Sequence, residues 1–260
     1  MGARDMQFDH RSGETLAIDG ANIYFEVKGE QQHETLLFLH GGFGTIEDFN
    51  PLLPDLERSY RVIGIDSRGQ GKSTLGSSRL TYERLQTDAQ RVLQHLEVDR
   101  VSLVGFSDGG ITAYRLACAN TIEVRKIVAI GAHWHPKEVD AVRELYLKVT
   151  GDSWRKKFPA TFESYRKLNP EPDFDALARA LVGMWLDPNT SGYPGDAVKN
   201  IACPLLIARG DDDHLTSRQG AVELSNLVKG AHLANIAFAG HVVFEDQKQP
   251  FMAALNQFLR

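Results

Sequence analysis

The sequence predicts an α/β protein: a mostly parallel sheet of about eight strands, helices on both faces, and one helical insertion. Three observations predict it. Short unbroken apolar runs at 35–39, 61–65, 101–104, 126–130 and 204–208 have the pattern of strands buried on both faces, which is how parallel strands read. Segments with helical apolar spacing alternate with them, and such alternation implies a sheet with helical crossovers. Between Ala132 and about Asn200 the alternation stops, and the chain becomes richer in Trp, Tyr, Pro and charge. The organisation expected is a core made of 1–131 and 201–260, with a helical cap at 132–200.

Each element has its own signal. Leu16 to Val27 alternates in hydrophobicity about Asp19-Gly20, a hairpin signature. The strand at 35–39 ends abruptly at His40-Gly41-Gly42-Phe43-Gly44, and the strand at 61–65 ends at Asp66. Leu85, Ala89, Val92, Leu93 and Leu96 mark a helix over 82–96. The strand at 101–104 runs into Gly105-Phe106-Ser107-Asp108-Gly109-Gly110, and a helix follows as far as Asn120. After the strand at 126–130, helices are expected near 139–149 and 174–185. The 204–208 strand restores the alternation, with a helix near 218–228, a strand near 233–237 and a final helix at 250–259. No internal repeat is present.

Composition excludes several classes. The 260 residues carry 29 Lys+Arg against 34 Asp+Glu, a formal charge of −5, with 42% hydrophobic and 24% charged residues. These are the proportions of a soluble globular protein, not of a disordered, collagen-like or disulfide-scaffold chain. Nucleic acid is not an expected partner, because phosphate binding needs a concentrated basic surface and the densest basic stretch is Arg155-Lys156-Lys157. No run reaches the ~18 apolar residues of a membrane span. The first twenty residues lack the apolar stretch of a secretory signal, and Met6 stands where a myristoylation site needs Ser or Thr. Cys118 and Cys203, isolated in apolar surroundings, read as reduced thiols of a cytoplasmic protein.

Gly105-x-Ser107-x-Gly109 is a nucleophile-elbow pattern, placed as it must be between a buried strand and a helix. A serine hydroxyl needs a base, and the base needs an acid to orient it. On this architecture the order is serine, acid, histidine. After the 204–208 strand comes Gly210-Asp211-Asp212-Asp213-His214, which offers three candidate acids at a strand's carboxyl end. Three histidines follow or adjoin that cluster. His214 is too close to it to bridge acid and serine, and His232 lies at the wrong end of the last strand. His241, after Gly240, remains. A tetrahedral intermediate also needs backbone N–H donors. Gly42 or Phe43 in the His40–Phe43 turn would supply one, and Asp108, opening the helix after the serine, the other.

In this order these segments resemble the α/β-hydrolase fold family, over nearly the whole chain. A fifth segment, Asp66-Ser-Arg68-Gly69-Gln-Gly71-Lys-Ser73, is similar to that family's D-x-R-G-x-G-x-S turn. Its end imitates a phosphate loop, but such a loop needs Gly where Asp66 stands, so no nucleotide site is expected. The resemblance implies Asp213 as the acid and 132–200 as a cap that roofs the site. It also implies a serine enzyme rather than a haloalkane dehalogenase or epoxide hydrolase, which use Asp at the elbow. Within the family the motifs look most like small-substrate esterases, including the biphenyl-hydrolase-like group. The expected reaction is hydrolysis of a small carboxylic ester through an acyl-enzyme, without cofactor. Hydrolysis of a carbon–carbon bond in a ring-cleavage product uses the same triad, and a ligand-binding or inactive relative is the reading from another class.

Three residues bear on the substrate, itself expected to be a small molecule. Asp108 is favoured at a helix N-terminus by the macrodipole alone. It would also attract a cationic group, such as the amino group of an aminoacyl ester, provided its side chain turns away from the oxyanion. His133-Trp134-His135 follows a strand's carboxyl end, where α/β folds place their crevice. His133 and Trp134 are expected at the pocket mouth, with Trp134 as an apolar wall. No third ligand accompanies the two histidines, so a metal is not expected. The sequence leaves the oligomeric state open.

Overall fold

The computed structural model describes residues 7–56 and 59–260. The first two strands, β1 (Glu14–Ile18) and β2 (Ala21–Lys28), form an antiparallel hairpin. Asp19 and Gly20 both take positive φ, 44° and 77°, the two left-handed positions that a two-residue turn of this hand requires. β3 (Glu34–Leu39), β4 (Tyr60–Ile65), α1 (Tyr82–His95), β5 (Arg100–Phe106), α2 (Asp108–Ala119) and β6 (Glu123–Ile130) follow. Next come the short helices α3 (Arg143–Leu147), α4 (Gly151–Lys157), α5 (Pro159–Leu168) and α6 (Phe174–Trp185), all before β7 (Leu205–Gly210). α7 (Arg218–Leu227), β8 (Ala231–Ile236), α8 (Val243–Asp246) and α9 (Lys248–Leu259) complete the chain.

The eight strands lie in the order β1-β2-β4-β3-β5-β6-β7-β8, antiparallel on the β1-β2-β4 side and parallel from β4 onward. Side chains of successive strand residues point to opposite faces, so each buried strand feeds two cores. Leu37, Leu39, Ile63, Ile65 and Leu103 pack on the face with α1, α2 and α7. Leu36, Phe38, Val62 and Val104 pack with α8 and α9 on the other. This is why the runs read as unbroken apolar rather than alternating. A third apolar cluster, rich in aromatics, joins the helices between β6 and β7 to Phe43, Tyr82 and Ile111 at the carboxyl ends of the strands.

Two expectations about elements need correction. The helix foreseen at 139–149 is broken: a 3₁₀ turn opens at Pro136, and α3 starts only after Val142, whose ψ of 3° interrupts it. α4 and α5 were not foreseen, although each has a start signal. Thr150 and Ser153 form a reciprocal cap, and Pro159 occupies the first helical position.

The Asp66–Ser73 turn is a structural tie. Arg68 pairs through Nε and Nη2 with Asp88 of α1, at 2.8 and 2.6 Å, both fully buried. Asp66 accepts from the backbone N–H groups of Ile46 and Lys72 and from His10 Nε2. Asn169, beyond α5, donates to the carbonyls of Gly71 and Ser73, so the same turn anchors the inserted helices. Among the described residues no helix is long and apolar enough to cross a membrane.

Candidate active site

β5 delivers Ser107 to a strand–helix elbow at φ 51°, ψ −116°, a conformation that costs a non-glycine residue on the order of 1–3 kcal/mol. Packing makes the elbow sharp. A Cβ on Gly109 would fall 1.8 Å from the Leu39 carbonyl oxygen, so only glycine lets α2 start against β3. Ser107 N–H donates to the Ile130 carbonyl at 2.8 Å, which ties the elbow to the end of β6. Its side chain caps nothing on its own helix and is half-buried, so the hydroxyl is left available.

His241 reaches this point from the loop after β8. Its Nδ1 stands 2.9 Å from Asp213 Oδ2, and its ring packs on Phe106, centroids 5.0 Å apart, immediately before the serine. Of the three candidate acids the structure brings Asp213 to the histidine. Asp211 instead faces Arg218 and Asn235, and Asp212 is exposed. Asp213 is well satisfied: Oδ1 accepts from the N–H groups of Leu215 (2.8 Å) and Thr216 (3.2 Å), and Oδ2 also accepts from Thr216 Oγ1 at 2.5 Å. Burial alone would raise this carboxyl, but His241, the Thr216 hydroxyl and the Leu215 N–H outweigh it and hold it well below the usual range. Because Asp213 Oδ2 accepts a hydrogen bond from Nδ1–H, the lone pair of the neutral ring sits on Nε2, the nitrogen a general base needs.

The other two candidate histidines are eliminated by placement: both His214 and His232 are exposed. His40, fully buried, has a different job. It accepts the Ser67 N–H on Nε2 at 2.9 Å, so its proton is on Nδ1 and goes to the Gly41 carbonyl at 2.8 Å. That locks the His40–Gly44 turn. Phe43 takes φ 61° in it, and a Cβ on Gly42 would meet Trp185 Cζ2 at 2.7 Å and Asp108 Oδ2 at 2.9 Å. The N–H of Asp108, first in α2, has no carbonyl one turn earlier in its helix to bind. The turn and the helix start thus lie together beside Ser107.

Asp108 is 3% exposed, and its carboxylate is turned to the inserted helices rather than to the serine. Oδ1 accepts from Tyr82 OH at 2.7 Å, and Trp185 Nε1 is 3.0 Å from both oxygens. Burial raises its pKa, opposed by these two hydrogen bonds, and both donors are neutral. Neither Tyr82 nor Trp185 stands out as a site residue in the sequence. A carboxylate at a buried helix start had to find donors, which was the available signal. His133 is buried beside this group, its Nε2 3.3 Å from Tyr146 OH and its ring edge-on to Tyr193. Trp134 is a correction. It packs in the sheet core, and its Nε1 donates to the Gly220 carbonyl of α7, so it is not a wall of the pocket. His135 caps the 3₁₀ turn at Pro136 by accepting from Lys137 N–H.

Comparison with known proteins bears on the fold. A model of the α/β hydrolase fold matches residues 34–166. The serine hydrolase BPHL of Mus musculus is 31% identical over 232 residues, covering 84% of this chain and 76% of that protein. The AB hydrolase superfamily protein YisY of Bacillus subtilis is 25% identical over 253 residues, 86% of this chain and 90% of that one. Among solved structures, the enol-lactonase of Burkholderia xenovorans superimposes with a TM-score of 0.74 at 18% identity, over 95% of this chain and 99% of its own.

Proposed function

Since the chain belongs to the α/β-hydrolase fold family, we propose that it is a serine hydrolase of small carboxylic esters working through an acyl-enzyme. The observation that carries the reading is the His241–Asp213 pair packed against the residue before a serine held at φ 51°. Ser107 Oγ attacks the ester carbonyl as His241 Nε2 takes its proton, and Asp213 stabilises the imidazolium. The oxyanion is held by the N–H of Asp108 and that of Gly42 or Phe43. His241 then protonates the departing alcohol. A water then attacks the acyl-enzyme as the same nitrogen takes its proton, and His241 returns that proton to Ser107 Oγ as the acid leaves.

The acyl side carries an amino group. Asp108 is a buried carboxylate whose side-chain partners are two neutral donors, Tyr82 and Trp185, so its charge has no counter-ion in direct contact among the described residues. A substrate ammonium supplies one. Residues 132–200 act as the cap, with Trp185, Tyr146 and His133 packed on the Asp108 side of the site.

The test compares an α-amino ester with its des-amino isostere on wild type, Ser107→Ala and Asp108→Asn. Wild type prefers the amino ester, Asp108→Asn loses that preference while still turning over the neutral ester, and Ser107→Ala turns over neither. Equal loss for both esters in Asp108→Asn removes the charge reading. No turnover of either by folded wild type removes the esterase reading.

A further inference from the structure

A cavity of about 250 Å³ lies away from the candidate triad, bounded by Phe43 of the oxyanion turn, Asp48, Gln70, Ser164 of α5, and Phe174 and Leu177 of α6. Ser107, Asp213 and His241 are not among its walls. The residue without explanation is Gln70. It is 1% exposed, yet among the described residues neither its amide nitrogen nor its amide oxygen has a hydrogen-bond partner. The fold does not need that side chain to be polar. The turn is held by backbone, Gln70 N–H to Ser67 O at 2.8 Å and Ser73 N–H to Gln70 O at 2.9 Å, and by Asn169 on the neighbouring carbonyls. A buried unpaired amide is destabilising, so an apolar side chain of the same size would serve the fold better.

We propose that this cavity binds a small neutral carboxamide whose N–H and C=O lie on one edge, pairing with Gln70 through two antiparallel hydrogen bonds. The chemistry of the walls selects that class. A cation has no acceptor for the Gln70 N–H, and an anion has no donor for its carbonyl. Asp48, whose Oδ2 already takes the Thr45 N–H, lines the same cavity and has a second carboxyl oxygen to accept a second amide proton. Phe43, Phe174 and Leu177 suit a compact apolar frame around the amide. The amide comes either from a free ligand or from the alcohol arm of the ester, since Phe43 borders both the cavity and the reaction site.

Binding is measured on Ser107→Ala, so the outcome does not depend on turnover. The probes are 2-pyrrolidinone and N-methyl-2-pyrrolidinone, which lacks the N–H, titrated by saturation-transfer NMR. The lactam binds with a dissociation constant on the order of millimolar, the usual range for so few atoms. The N-methyl analogue binds about tenfold more weakly or worse. Adding Gln70→Leu abolishes that difference and leaves Tm equal or higher; Gln70→Met is the substitute if the leucine variant does not fold. Equal binding of the two probes, no binding up to about 100 mM, or an unchanged difference in the Gln70 variants overturns the proposal. So does a fall in Tm in both variants, because the amide then serves the fold. In catalytically intact protein, a preference for glycolamide esters over 1-propyl esters that Gln70→Leu removes assigns the amide to the substrate. Lactam binding without that preference assigns it to a free ligand.

Discussion

Thr216→Val probes the acid side of the site without touching Ser107 or His241. The Thr216 hydroxyl donates at 2.5 Å to Asp213 Oδ2, the same oxygen that His241 faces at 2.9 Å. A hydrogen bond to a charged group contributes about 1.5–3 kcal/mol. The N–H groups of Leu215 and Thr216 still hold Oδ1, so the stability loss falls at the lower end, while Oδ2 loses its second anchor and fixes the His241 ring less firmly. We expect about 1–2 kcal/mol less stability and a kcat/KM down about tenfold, which is about 1.4 kcal/mol of transition-state stabilisation. The sign of the pH effect follows from charge. With one donor removed, Oδ2 keeps more negative charge for the imidazolium, so the acid limb of kcat/KM moves to higher pH. Thr216→Ser restores the hydroxyl and both quantities. The assay is the kcat/KM–pH profile of the three proteins, with Tm alongside. If Thr216→Val loses stability but keeps an unmoved acid limb and full kcat/KM, the hydroxyl only supports the loop and the positioning argument fails.

Other perturbations have equally definite outcomes. Ser107→Gly relieves the positive φ that Ser107→Ala retains, so calorimetry should find the glycine variant about 1 kcal/mol the more stable; a less stable glycine variant contradicts the strain. His10 is buried, with Nδ1 2.6 Å from Glu47 and Nε2 2.8 Å from Asp66. Burial would lower its pKa, but the two carboxylates prevail and raise it to about 9. A raised pKa gives stability that is fully present below the unfolded value near 6.5 and is lost as pH rises through about 9. The contribution is about 3 kcal/mol. Denaturant titrations of wild type and His10→Gln should converge across that window, and parallel curves refute the linkage. Trp185→Phe removes one donor from Asp108, so the preference for amino esters over isosteres should change while Ser107 still labels; an unchanged preference places Trp185 outside recognition.

The core was legible because its strands are buried on both faces: Leu36–Leu39 cannot read as anything amphipathic when alternate residues fill two cores. The ends of strands were less so. β6 begins at Glu123, three residues before its apolar run, because Glu123 and Arg125 lie on its more exposed end. The insertion was read only as helical, since its order rests on caps such as Thr150–Ser153 and on aromatic contacts between helices. Ser107 and His241 stood out because turn chemistry surrounds them. Asp213 needed the resemblance, since Asp211, Asp212 and Asp213 are alike in sequence and differ only in where the turn points them. Trp134 is not legible in the same way, because the chain leaving a strand end can turn into either core, and here the indole finds the Gly220 carbonyl on α7.

The central claim is that Ser107 is the nucleophile of an acyl-enzyme. Intact-mass measurement after reaction with a fluorophosphonate tests it most directly. One adduct per chain is expected, mapped to Ser107 by peptide sequencing, absent in Ser107→Ala and slowed at least about a hundredfold in His241→Ala. An adduct elsewhere, or full labelling speed without His241, would contradict it.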